Sequence, residues 1–364
     1  MKIFGLKTLD IYIIKKFLGT FFFAILLIIS IAVIFDFSEK IDDFLEKNAP
    51  FHLIITQYYL NFIPYFAVLF SPLFTFIAVI FFTSKMAYNT EIIAILSNGI
   101  SFRRLMLPYF ISAVIITIFS FLLSNFVIPN ANRERFAFEE LYYHSRPKSF
   151  QERNVHRQIE PGIYVYLESY STYDNIGRRF SMEEFENGKL VSKLMSDYIR
   201  WDSTKSKWTI YNYYIRDYHG DDQTIITGNQ IDTTLNMTPE EFKMRQNAVE
   251  AMDFHRLNKF ISNQKLQGVS NISSLLIEKY KRIAFPFSAF ILTLIGVSVS
   301  SRKVKGGIGM HIGIGLMVSF GYILFMQFSS QFAIGGKLPP LVAVWLPNII
   351  FAVIALFLYK LAPK

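Results

Sequence analysis

The sequence predicts an α-helical membrane protein with six transmembrane helices and an inserted all-β periplasmic domain. Three observations predict it. Three very apolar stretches precede residue 130, and three more follow residue 282. The stretch between them is polar and holds no membrane-length apolar run. The composition agrees: 52% hydrophobic and 38 Phe against only 18% charged residues implies lipid-facing surface.

A spanning helix needs about 20 mostly apolar residues. The stretches that qualify are Phe17 to Phe35, Leu60 to Thr83, Leu105 to Ile128, Ile283 to Ser300, Gly309 to Phe332 and Leu341 to Tyr359. The first follows Lys15 and Lys16 and lacks a small-residue cleavage site, so it reads as a retained span. The expected organisation is spans one to three in 1–129, a β domain with helical connectors in 130–281, and spans four to six in 282–364.

Basic residues set the orientation. Lys2, Lys7, Lys15 and Lys16 precede span one, and Lys85, Arg103 and Arg104 lie between spans two and three. Arg302, Lys303 and Lys305 lie between spans four and five, and Lys360 and Lys364 follow span six. Both termini are therefore expected in the cytoplasm and the β domain outside, across the membrane. The segment after span one is instead acidic, with Asp36, Glu39, Asp42, Asp43 and Glu46 against Lys40 and Lys47. The net charge of +9 sits at membrane edges and not on one face, which disfavours nucleic acid.

The middle domain begins after Pro129 with a polar helical segment, 130–143. Period-two alternation then marks strands: Ile163, Val165 and Leu167, and again Ile231, Thr233, Leu235 and Met237. Two further strands, Lys189 to Arg200 and Trp208 to Tyr218, flank a polar turn at 202–207. Gly188, Gly220 and Gly228 mark turns. Many short strands suggest a sandwich, roll or open barrel. With no cysteine, the domain is held by an ordinary core. It reads as an exported binding or assembly module, or as an apolar β groove. Ser270 or Asn271 can cap a helix over 272–282 that runs into span four through Pro286.

Catalytic patterns are absent. The six His show no metal spacing, and there is no nucleophile elbow and no phosphate loop. No metal and no cofactor is expected on this chain, and His311 reads as packed and not catalytic. The spans hold no central charge, which argues against an ion-coupled carrier. Two patterns remain. In the loop after span two, Asn89 or Thr90 can cap a helix of about ten residues that ends at Gly99. Glu91, Ala94 and Asn98 share one of its faces. The loop is either an interfacial turn or a helix, over 89–99, that docks into a cytoplasmic motor. In span five, Gly309, Gly313 and Gly315 form a small-residue stripe that suits helix packing or a sliding gate.

Taken with Leu9-Asp10-Ile11-Tyr12 at the start, Thr238 to Phe242, and the stretch from Pro286 to the Leu338-Pro339-Pro340 loop that ends at Trp345-Leu346-Pro347, these features resemble the LptF/LptG lipopolysaccharide-export permeases over nearly the whole chain. The opening and the Leu-Pro-Pro turn look more like the G member. The resemblance implies a permease subunit of an ATP-driven ABC transporter that extracts lipopolysaccharide from the inner membrane of a Gram-negative cell. It implies a β-jellyroll-like domain that passes the lipid to a periplasmic bridge. Implied partners are a second permease, a cytoplasmic ATPase dimer that alone uses ATP, a single-span jellyroll subunit and a soluble jellyroll bridge. Implied ATPase-coupling residues are Glu91, Ala94, Asn98, Gly99, Arg103 and Arg104, and an implied lateral gate is Gly309, Gly313 and Gly315. Family members often carry basic residues near the outer end of helix one, and here only Lys40 and Lys47 are basic. The lipid head group is therefore expected at Asp36, Lys40 and Lys47, received by Lys40 itself or by a divalent cation on the carboxylates. Rival readings are a permease for another lipid or lipoprotein, and a membrane-anchored scaffold or sensor.

Overall fold

The computed structural model describes residues 7–143, 151–219, 222–239, 242, 249–266, 272–301 and 307–362. Gly220, Ser270, Asn271, Arg302, Lys303 and Lys305 lie outside these residues. In chain order the elements are α1 (Thr8–Glu46), α2 (Phe51–Tyr88), α3 (Glu91–Ser97) and α4 (Phe102–Tyr142). Strands follow as β1 (Gln151–Glu160), β2 (Ile163–Ser171), β3 (Ile176–Glu186), β4 (Lys189–Asp202), β5 (Lys207–His219) and β6 (Asp222–Thr233). The chain closes with α5 (Phe254–Leu266), α6 (Ile272–Ala284), α7 (Ser288–Ser300), α8 (Gly307–Ile334) and α9 (Pro340–Leu361). It divides into two compact units, Met1–Tyr143 with Ser273–Lys364, and His144–Ile272.

In the first unit, five helices are long and apolar enough to cross a membrane, and α6 with α7, bent by 51°, brings the count to six when the pair is taken as one span. The bend falls at Pro286, where a ring replaces the N–H that would continue the ladder. Past the ring the backbone tightens to i→i+3 bonds, with the N–H groups of Phe287, Ser288 and Ala289 donating to the carbonyls of Ala284, Phe285 and Pro286 at 3.2, 3.1 and 3.2 Å. Each of these carbonyls also takes a side-chain donor. Asn348 Nδ2 donates to the Ala284 carbonyl at 2.8 Å, Ser288 Oγ to Phe285 at 2.7 Å, and Thr117 Oγ1 to Pro286 at 3.2 Å. The expected passage of one helix through Pro286 is thus a break between two helices, braced by side-chain donors from α4, α7 and α9.

The helix α2 is the hub of this unit. Of its most apolar window 61% is buried, against 22% for α1 and 28% for each of α8 and α9. The helix α1 contributes one stripe, Ile13, Phe17, Phe21, Ile25 and Ile29, each four residues from the next and all buried. That spacing places them on one face of a 3.6-residue helix. Its other side leaves Phe23, Leu26, Ile34 and Phe35 exposed, as lipid-facing or partner-facing surface requires. At 39 residues, α1 is far longer than the ~20 that cross the hydrocarbon, so it projects beyond the bilayer.

The second unit is one antiparallel sheet in the order β1-β2-β3-β4-β5-β6, a simple meander. Trp201 faces Trp208 across the β4–β5 hairpin, as the sequence led us to expect. Two strands escape the sequence pattern: β1 and β3 are largely polar and carry no clean alternation. Two readings are corrected. Strand β6 stops at Thr233, because Met237 turns into the core and its carbonyl accepts from Trp208 Nε1 at 2.9 Å. Gly228 is no turn; it lies inside β6, where a Cβ would sit 2.5 Å from the Tyr213 hydroxyl.

A kink line crosses the whole sheet. Asn154, Arg179 and Asn212 all have left-handed backbone, with φ of 53°, 49° and 50°. They stand on alternate strands at one level, and pairing is interrupted there from β1 through β6. Side chains normally alternate between faces. Here the buried set steps by three residues instead of two: Leu167 then Tyr170, Gly177 then Phe180, Ser196 then Ile199. Residues from both sides of the line therefore share one core, with Leu167 and Phe180 joined by Tyr170, Ile199 and Trp208. The polar residues at the line lie on the opposite face.

Candidate functional site

Two ends of α1 and one face of α8 hold the predicted site residues. The first is the end that carries α3. Thr90 precedes α3 with a left-handed φ of 62°, a costly backbone for a β-branched residue, and it turns the chain sharply out of α2. Gly99, at φ 81°, ends the helix and its N–H donates to the Leu96 carbonyl. The helix has 7 residues, shorter than expected. Ile92 is buried and anchors it, while Ala94, Asn98 and Gly99 are exposed. Glu91 is half-buried. Its carboxylate accepts from Tyr12 of α1 at 3.4 Å and from Asn89 at 3.3 Å.

The basic pair behind α3 divides. Arg103 is exposed. Arg104 instead donates two parallel hydrogen bonds, Nη1 and Nη2 to Oδ1 and Oδ2 of Asp10, both at 2.6 Å. The fork matches the carboxylate, the strongest geometry an ion pair takes. The Asp10 side chain is 1% exposed, and it also accepts from the Lys7 backbone N–H. Asp10 and Tyr12, in the first turns of α1, therefore hold both ends of the α3 segment. Sequence reasoning passed over Asp10 as a site residue; a lone acid in a basic, amphipathic opening was the available signal.

The other end of α1 carries the expected head-group residues. Lys40 Nζ donates to Asp36 Oδ1 at 2.7 Å and to the Tyr58 hydroxyl, and it lies 4.9 Å from the centres of the Tyr58 and Tyr143 rings. Tyr59 donates to Asp36 Oδ2 at 3.2 Å. Consecutive tyrosines reach one network because Ile54–Tyr59 is a π-helical segment, whose wide turn points both toward α1. Arg135 of α4, also buried, pairs with Glu139 at 3.6 Å and packs over Tyr65. Asn132, fully buried one turn before it, has no hydrogen-bond partner for its amide. Lys40 and Asp36 are thus engaged with each other and with α2, and Lys47 is half-buried. Among the described residues no three His, Asp or Glu side chains gather as metal ligands.

On α8 the three glycines differ. A Cβ at Gly309 or Gly313 would meet nothing within 4 Å, whereas one at Gly315 would sit 2.7 Å from Ile80 Cδ1. Gly315 is a seam with α2, and Gly309 and Gly313 stand on open surface beside exposed Met317, Phe320 and Leu324. His311 is buried, with Nδ1 unpartnered.

Comparison with individual curated proteins finds no match. The profile of the lipopolysaccharide export system permeases LptF/LptG matches residues 11–361, nearly the whole chain. That match spans both halves of the membrane unit and the inserted sheet, so the chain belongs to the LptF/LptG family of lipopolysaccharide-export permeases.

Proposed function

We propose that this chain is one permease subunit of an ATP-driven lipopolysaccharide extractor, working beside a second permease of the same plan. The carrying observation is the α3 segment, a short helix with an exposed small-residue face and both ends tied to α1. A cytoplasmic ATPase that pushed on Ala94, Asn98 and Gly99 would move α1 through Glu91–Tyr12 and Arg104–Asp10. The stroke would reach the Asp36 end because α1 is one continuous helix. In this reading both termini are cytoplasmic, the sheet is periplasmic, and the lipid leaves toward the jellyroll-type subunits of the bridge.

Roles within the reading follow the contacts. Glu91, Ala94, Asn98, Gly99 and Arg103 meet the ATPase, and Arg104 relays the motion. Gly309 and Gly313 form the gate surface toward the second permease, with Gly315 as its hinge against α2. The Asp36–Lys40 pair receives the head group only by exchanging partners, since Lys40 is already engaged. The lipid's phosphates would compete with Asp36 for Lys40.

The test is copurification of the ATPase with a Glu91→Lys variant. We expect loss of ATPase association with the fold intact. Normal association together with normal lipid extraction would remove α3 from the motor contact.

A further inference from the structure

The face of the sheet opposite its core holds a cavity of about 910 Å³. It is lined by Arg153 of β1, Arg178 and Arg179 of β3, and Arg200 of β4, with Glu168, Asp197 and Tyr198. The kink line explains why so many guanidinium groups meet. Consecutive residues on a regular strand face opposite ways. Here the pairs 153–154, 168–169, 178–179 and 197–198 all line one cavity, because the left-handed Asn154 and Arg179 break the alternation. The strained Arg179 is itself a lining residue.

The charges do not cancel. Glu168 is answered by Arg179 at 2.9 Å, and Asp197 accepts from Asn212 at 2.9 Å. Arg153, Arg178 and Arg200 make no ion pair among the described residues. Arg153 faces Ser169, which faces Arg178, so the backbones of the two arginines stand two strands apart, about 10 Å. Arg178 faces Tyr198, whose ring stacks on Tyr211 at 4.6 Å and 14°. Guanidinium forks select phosphate or carboxylate by bidentate geometry. A flat aromatic pair beside them suits the C–H face of a sugar ring. The volume is that of a small-ligand site.

We propose that this cavity binds a saccharide bearing phosphate or carboxylate groups. Its position on the polar face separates it from any acyl chain on the core face. That the saccharide comes from lipopolysaccharide rests on the permease reading above; the anion chemistry does not.

The experiment titrates the full chain in nanodiscs with deacylated lipopolysaccharide oligosaccharide, by calorimetry. Parallel titrations use the same oligosaccharide after dephosphorylation and after carboxyl reduction. We expect binding that weakens about tenfold or more in Arg178→Ala/Arg200→Ala, weakens less in Arg178→Lys, and falls with added salt. Loss on dephosphorylation assigns phosphate, and loss on carboxyl reduction assigns carboxylate. Binding untouched by both treatments, unchanged in the double variant, or absent in the unaltered chain overturns the site. A double variant that sheds an acidic copurifying protein yet keeps the oligosaccharide gives the cavity to that protein instead. ATP-dependent extraction of the intact lipid, measured alongside with the chain reconstituted beside the ATPase and second permease of the proposal, reports separately on the permease reading. It fails in the unaltered chain if that reading is wrong, whatever the oligosaccharide does.

Discussion

Gly313 and Gly315 stand two residues apart on α8 and meet opposite surroundings. Gly315 is pressed against Ile80 and Phe76 of α2, and Gly313 opens on empty space. The difference teaches that one small-residue stripe serves two purposes, a permanent seam inside the chain and a free face outside it. The same contrast holds between the buried hub α2 and the exposed rim of α1 and α8.

The largest expected effect lies at the seam. Gly315→Leu forces a branched side chain into Ile80 and Phe76, and overpacking of this kind costs about 1–3 kcal/mol or more. We expect low yield of folded protein and a reduced Tm in detergent. Gly313→Leu should leave Tm unchanged and instead reduce lipid extraction while ATP hydrolysis continues. Should the two variants behave alike in both assays, the division of the stripe is wrong.

Next comes the Asp10–Arg104 fork. Breaking a fully buried pair costs about 3–5 kcal/mol and an exposed one under ~1. With Asp10 buried and Arg104 one-third exposed, Arg104→Ala should cost about 2 kcal/mol by these bounds. Arg104→Lys keeps the charge but loses the fork, so it should restore part of the stability and little of the coupling. Full coupling in Arg104→Lys, read as lipid released per ATP, would reduce the fork to a structural tie.

A smaller effect concerns the kink line. Left-handed backbone costs a residue such as Arg about 1–2 kcal/mol, and Asn carries it at less cost. Arg179→Asn gives up an exposed ion pair worth about 0–1 kcal/mol, so the net change should be a gain of up to ~1 kcal/mol. Thermal melting would detect it. A clear loss of stability would mean that Arg179 holds the kink by its contacts.

The smallest effect is at the β4–β5 turn. Asp202 is held below the usual carboxylate range, first by the Thr204 hydroxyl, and Asp232 first by Lys205. Lowered carboxylates contribute stability above their ordinary value, about 3.9. That contribution fades as pH falls through the lowered folded values. Lys205 is raised, first by its hydrogen bond to Asp232, so its contribution is complete below the ordinary lysine value and is lost as pH rises through the raised one. The protection factor of the Thr204 amide, which is its exchange corrected for the intrinsic pH dependence, should therefore fall in acid below about pH 4 and stay flat through neutrality. A change centred near pH 6 to 7 would point to another group.

The membrane half was legible because lipid imposes long apolar runs, and the six spans follow from them. The charges were legible only where contacts are local. Asp36 and Lys40 are four residues apart on one helix, but Asp10 and Arg104 are 94 residues apart, and nothing in either neighbourhood names the other. The strands β2, β4 and β5 showed in part, since each has an apolar side. The polar β1 and β3 did not, because the kink line interrupts their alternation at Asn154 and Arg179. The arginine cavity is assembled from four strands by that same line, and no spacing along the chain forecasts it. The glycine stripe was visible, yet only packing separates Gly315 from Gly313.

The most direct measurement is lipid extraction itself. The chain would be reconstituted in proteoliposomes with the ATPase and second permease that the proposed function assigns to it, with labelled lipopolysaccharide and labelled phospholipid in the same membrane. Transfer to a soluble jellyroll acceptor would be followed after adding ATP. The account predicts ATP-dependent transfer of lipopolysaccharide, none of phospholipid, and loss of transfer in Glu91→Lys. Equal transfer of phospholipid, or transfer of lipopolysaccharide that ignores both ATP and Glu91→Lys, would contradict it.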